Sequence, residues 1–174
     1  MDLMMDIETM SYHPNAIILN IGAIGFDPLS TDVYDQHSFY ARIDVESQVN
    51  RHEDPKTMEW WSKQSPQAID EAFGDGDDRI SLEDALIDLD KLARKCARVW
   101  TNGIAFDMPI LEHAYREINR AYPWQFWNVF DCRTIIKMNS IRQVGNSHHA
   151  LEDCLNQITI LQDSLKRLGV KKIG

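Results

Sequence analysis

Hydrophobic and polar positions change period along this chain, and the changes divide it into elements. Residues 16–26 read Ala-Ile-Ile-Leu-Asn-Ile-Gly-Ala-Ile-Gly-Phe. So continuous an apolar run predicts a strand buried on both faces. Residues 1–9 predict a shorter strand before it, and Asp27-Pro28 breaks the pattern after it. Residues 37–43 then alternate and predict a third strand. Three successive strands with short connections predict an antiparallel meander. From residue 55 the period becomes helical. Helices are predicted over 55–63, with proline in the first turn, and over 81–95, after the capping-box segment Ser81-Leu82-Glu83-Asp84. A third, over 109–120, carries Ile110, Leu111, Ala114, Tyr115 and Ile118 at helical spacing. A short helix over 133–138 and a long one over 149–168 follow, with brief strands at 98–101 and 126–130. Basic residues between Lys166 and Lys172 suit the C-terminal end of the long helix, where the helix dipole favours cations. The economical reading is one α/β domain over residues 1–174.

Composition narrows the class. With 44% hydrophobic and 26% charged residues among 174, the chain resembles an ordinary soluble protein with a core of its own. No apolar run approaches the roughly 20 residues of a membrane span, so no membrane partner is expected. The first residues lack the basic-then-apolar order of a secretory signal. Cys96, Cys132 and Cys154 form no Cys-x-x-Cys pair, which argues against structural zinc and a disulfide framework and suits a reducing cytoplasm. The Gly74–Asp78 stretch meets no EF-hand frame and reads as a solvated turn. A formal net charge of −9 argues against tight non-specific nucleic-acid binding. That objection weakens where bound cations neutralise carboxylates.

Several carboxylates are spaced for such cations. Asp6 and Glu8 are two apart on a predicted strand, so both leave the same face. Packed together they repel unless a cation compensates them; on an exposed edge strand they would simply be solvated. Asp107 ends the segment Asn102-Gly103-Ile104-Ala105-Phe106-Asp107 and reads either as a ligand or as a helix N-cap. Asp153 lies one turn into the long helix, preceded by His148 and His149. Four-residue spacing favours His149 as its neighbour on the helix, whereas His148 would project from the entering loop. A base must reach water beside a metal and need not share the ligand's face, so spacing alone leaves both histidines open.

In this order, Asp6-Ile7-Glu8-Thr9, Asn102 to Asp107, and His148-His149-Ala150-Leu151-Glu152-Asp153 resemble the motifs of the DEDDh 3′–5′ exonuclease superfamily. Met10, Glu59-Trp60-Trp61 and Phe126 to Thr134 look most like its phage and bacterial exoribonuclease-like branch, the phage exonuclease A type. The resemblance implies an RNase H-like fold, α/β, with a mixed five-stranded sheet whose first three strands are antiparallel, flanked by helices. It also implies a metal-dependent 3′–5′ exonuclease releasing nucleoside 5′-monophosphates from single-stranded or 3′-tailed RNA or DNA, with RNA slightly favoured over DNA; the alternative from another class is a catalytically silent module that binds a nucleic-acid end or a protein. Two Mg2+ or Mn2+ ions would be held by Asp6, Glu8, Asp107 and Asp153, with His148 as the proton-transfer residue. Ile7, Thr9, Met10, Trp61, Asn102 and Phe106 are the candidates for holding the terminal nucleotides. Adjacent Trp60 and Trp61 diverge by about 100° on a helix, so at least one of them belongs to the core. A homodimer is compatible with the resemblance and would lend basic residues to an acidic site.

Overall fold

Residues 1–139 and 148–174 are described by a computed structural model. Strands β1 (Asp2–Thr9), β2 (Ile18–Phe26) and β3 (Val33–Arg42) pair antiparallel, as the meander requires. Short strands β4 (Val99–Thr101) and β5 (Val129–Asp131) add in parallel on the other side of β1. The sheet order is β3-β2-β1-β4-β5, the mixed sheet the resemblance implies. Six helices accompany it among the described residues: α1 (Pro55–Trp61), α2 (Pro66–Phe73), α3 (Leu82–Ala93), α4 (Ile104–Glu117), α5 (Cys132–Met138) and α6 (Ala150–Arg167).

Every residue of β2 is buried, because the strand is covered on both sides. β1 divides its side chains between two cores. Leu3, Met5 and Ile7 pack with Leu86 and Leu89 of α3 and Leu111 of α4. Met4 faces the opposite way, toward Ile136 of α5 and Ile158 and Leu161 of α6. Each such fully buried aliphatic side chain contributes about 1.5–3 kcal/mol. A third cluster gathers Met10, Leu19, Trp61, Ala68 and Ala72 beneath α1 and α2.

Several boundaries depart from the sequence reading: the strand expected over 126–130 is a 3-10 turn at Phe126–Asn128 with β5 after it, and three further departures have a local reason. β3 begins at Val33, four residues before the expected start, because Val33 and Tyr34 continue pairing with β2 across an irregularity at Ile24/Gly25. α2 was not expected at all. Its eight residues carry no long periodic stripe, yet Ser65 accepts a hydrogen bond from Ala68 N and Pro66 occupies the first turn, which is a helix start. α4 begins at Ile104 rather than 109, so Pro109 lies inside it and removes one hydrogen bond from the early ladder. Its N-cap is Gly103, at φ 141°, and no side chain caps it. The N-cap reading of Asp107 is therefore overturned. Asp107 sits within the first turn, where its carboxylate is available for other partners.

Two contacts hold the sheet against its surroundings. At one end of β1 the buried Asp2 accepts from Arg98 Nε at 2.9 Å and from Trp100 Nε1 at 2.8 Å, while Arg98 also donates to the carbonyl oxygens of Ile173 and Gly174. Toward the other end, Gly22 of β2 lies so close to α6 that an added Cβ would stand 2.4 Å from Ala150 C and Leu151 N. The start of α6 is thus pressed onto the sheet.

Candidate active site

The alternation that buries Met4 against α6 continues up β1 with Asp6 and Glu8 on the same face. Gln157 of α6 donates to Asp6 Oδ1 at 2.7 Å. Glu8 Oε1 lies 3.4 Å from His148 Nδ1, and the His148 backbone N–H donates to Asp153 Oδ2 at 3.1 Å. Glu8, His148 and Asp153 each offer a ligand atom, and these atoms all fall within 4.8 Å of one another. Asp107 approaches from α4 and is only 3% exposed. β1 pairs with β4 at Leu3 and Met4, and further along the strand the Ile7 backbone N–H serves the Asp107 carboxylate.

The electrostatics follow from this crowding. Asp6 is held well above the usual carboxylate range, first by burial and then by the charges of Asp107 and Glu8. Glu8 is raised by burial, with His148 opposing the shift. Asp107 is pushed up to about 7, chiefly by burial. The backbone N–H groups of Asp107 itself and Ile7 pull it back down, as does Arg133. His148 is raised through its contact with Glu8, against the opposing effect of burial. Clustered carboxylates that resist ionisation when metal-free are a site in need of positive charge.

Asp6, Glu8, Asp107 and His148 open into one pocket of about 300 Å3, which Ile7, Thr9, Asn102 and Phe106 also line. Asp153 lies behind His148 and is 2% exposed. Two expected nucleotide-holding residues are not at the pocket. Trp61 is buried in the third cluster, its Nε1 donating to Thr9 O at 2.9 Å, and Met10 packs in the same cluster. The 100° step between neighbouring helical residues turns Trp60 outward instead: it is 43% exposed and lines the pocket. The spacing of Met58 and Trp61, both packed in the third cluster, is the sequence signal that distinguishes the two tryptophans. Ser11, Tyr12 and Thr57 also line the pocket outside any motif, as does Arg133, which lies within the Phe126 to Thr134 segment but drew no role from it.

The histidines separate as loop and helix positions do. His148 has a left-handed backbone, φ 59°, and sets its ring edge-on against Trp60 at 5.0 Å. His149 is the N-cap of α6 and stacks on Tyr40 at 4.3 Å. The four-residue relation of His149 to Asp153 is realised by the backbone, where Asp153 N donates to His149 O.

Residues 1–165 match the profile of a family described as the 3′–5′ exoribonuclease Rv2179c-like domain. The chain is 25% identical, over 203 aligned positions, to an exodeoxyribonuclease of Enterobacteria phage T4, covering 95% of this chain and 89% of that one. It superposes on S. pombe Pop2p in its Mg2+- and Mn2+-bound form with a TM-score of 0.66 at 14% identity, over 99% of this chain and 86% of the other. Against the nuclease domain of 3′hExo, a DEDDh family member bound to rAMP, the TM-score is 0.61 at 15% identity, over 95% and 92%. The fold shared with these structures is RNase H-like.

Proposed function

Because this chain belongs to the family of Rv2179c-like 3′–5′ exoribonuclease domains, we propose that it removes nucleotides successively from a free 3′ end of single-stranded or 3′-tailed RNA. The products are nucleoside 5′-monophosphates. The observation that carries this reading is the mutual crowding of Asp6, Glu8, Asp107 and Asp153, with His148 against Glu8 and Asp153, beside one open pocket.

Divalent cations fit these residues, since burial and mutual repulsion already oppose the charge that Asp6, Glu8 and Asp107 would carry without them. Asp6, Glu8, Asp107 and Asp153 would hold two such ions, and their oxygen ligands suit Mg2+ or Mn2+. When bound, the ions supply positive charge that activates a water and offsets charge on the leaving 3′ oxygen. His148 acts as the base. Its Nδ1 faces Glu8, which leaves Nε2 to take a proton from the attacking water. The Asp153 bond to the His148 backbone sets the position of that ring. Exposed Trp60, with Phe106 and Ile7 nearby on the pocket wall, offers apolar surface to the terminal bases, where a stacking contact contributes roughly 1–3 kcal/mol.

A second reading, single-stranded DNA as the substrate, draws support from the relative in phage T4, which is named an exodeoxyribonuclease. Matched RNA and DNA oligonucleotides, 5′-labelled, with free or blocked 3′ ends, decide between them in the presence of Mg2+. Faster stepwise shortening of RNA from the free end is expected. Faster loss of DNA would replace RNA as the substrate, and shortening of 3′-blocked strands or no shortening at all would remove the 3′–5′ exonuclease reading.

A further inference from the structure

An acidic exonuclease must still hold a polyanion, and the geometry points to Arg133, followed by Lys137, as the seat of the phosphodiester upstream of the scissile bond. This rests on the substrate polarity proposed above. Arg133 is the single lysine or arginine among the described residues that line the pocket. Most other arginines are committed elsewhere: Arg42, Arg51, Arg94, Arg98, Arg116 and Arg167 each pair with a carboxylate. Arg133 instead meets a backbone carbonyl, that of Asn102. A guanidinium has five N–H donors in a planar fork suited to phosphate oxygens, and this bond occupies only part of it.

The fold prepares the position. Cys132, fully buried, anchors the first turn of α5, and Arg133 follows it on the exposed side. The guanidinium lies over Gly103, where a Cβ would stand 3.3 Å from Arg133 Nη2. The absence of a side chain at 103 therefore leaves room for the guanidinium at the pocket rim. Arg133 also acts on the buried site, since its charge pulls the Asp107 carboxyl downward.

Lys137 stands four residues on, exposed on the same helical face and about 6 Å further along the axis. Asn139, just past α5, donates to the Ser164 carbonyl, far along α6 from Asp153, so the two cations make a short track leading away from the carboxylates. Because Arg133 is at the exposed rim and Asp107 and Asp153 are buried, the rim cation meets the phosphodiester before the one being cut.

Binding and turnover test this separately. Fluorescence anisotropy of a 5′-labelled 12-mer in EDTA, over a salt series, compares wild type with Arg133→Met, Arg133→Lys and Lys137→Met. Each lost phosphate contact should make the slope of log affinity against log salt shallower by about 0.7. Both methionine variants should show this, while Arg133→Lys keeps the wild-type slope. In turnover with Mg2+, the comparison substrate is thymidine 5′-(p-nitrophenyl) phosphate, which has one phosphodiester and no upstream nucleotide. Arg133→Met should lower the ratio of oligonucleotide to ester kcat/KM at least tenfold, mainly through KM. An unchanged salt slope in both methionine variants, or equal losses on the two substrates, overturns the proposal. Failure of the exonuclease reading has a different signature: wild type leaves both substrates intact, while the salt slopes still differ among the variants.

Discussion

Asp107, buried at 3% exposure with its carboxyl pushed up to about 7, makes the metal-free protein sensitive to pH in a predictable direction. In the unfolded chain this carboxyl ionises near its ordinary value of about 3.9, so above that pH the unfolded state sheds a proton that the folded state retains. Stability present at low pH is lost as pH rises from about 4 to 7, then levels off. Mg2+ relieves the repulsion and should raise Tm more at pH 8 than at pH 5, as differential scanning fluorimetry would show; equal shifts would mean the ion binds elsewhere. Asp6→Asn belongs to the same scale. It removes a charge that burial opposes, so metal-free Tm should rise by about 2 °C or more, the equivalent of 1 kcal/mol in a domain of this length. The Mg2+-induced shift should shrink, and turnover on a 3′-tailed oligonucleotide should fall roughly a hundredfold or more. The order of the motifs brought Asp6, Glu8, Asp107 and Asp153 to notice, since each carries chemistry in its residue type, while spacing left His148 and His149 open and only the resemblance chose His148. The motifs gave Arg133 no role, because surface arginines have ordinary structural uses in any chain, and the pattern separates Trp60 from Trp61 only through the spacing of Met58 and Trp61.

At the scale of elements, the period of the pattern identified the antiparallel meander of β1, β2 and β3, since long apolar or alternating runs leave few alternatives; the parallel addition of β4 and β5 came only with the resemblance. Short elements were harder to read. α2 has only eight residues, and the start of α4 is concealed by an internal proline that usually marks a first turn. One close approach between elements is also invisible to periodicity: Gly22 against the backbone of Ala150 and Leu151. Gly22→Ala has no flexible neighbour to displace and should cost on the order of 3 kcal/mol in urea unfolding. Because α6 carries Asp153 and Gln157, the lifted helix should also weaken Mg2+ binding. A variant of wild-type stability would show that the two backbones separate freely.

Across the whole molecule, the two ends of β1 have opposite characters. The start of the strand is clasped by the Asp2–Arg98–Trp100 contact, and its far end carries the acids of the pocket. Arg98→Met leaves the buried Asp2 without its cation and should destabilise by about 3 kcal/mol, measured by chemical denaturation. Turnover per folded molecule should persist at 25 °C, because Arg98 is no part of the pocket. A large drop in specific activity would show that the clasp and the acids are coupled through β1. The formal net charge of −9 is likewise unevenly placed: among the described residues Lys166, Lys171 and Lys172 lie beyond the pocket lining and Arg133 alone of the lysines and arginines reaches it. The clasp also holds the carbonyl oxygens of Ile173 and Gly174, so these two residues lie at the start of a strand about 23 Å long whose other end bears the acids. A bead or biosensor surface coupled through Gly174 would therefore hold the molecule by its back, leaving its mouth turned toward whatever strand arrives from solution.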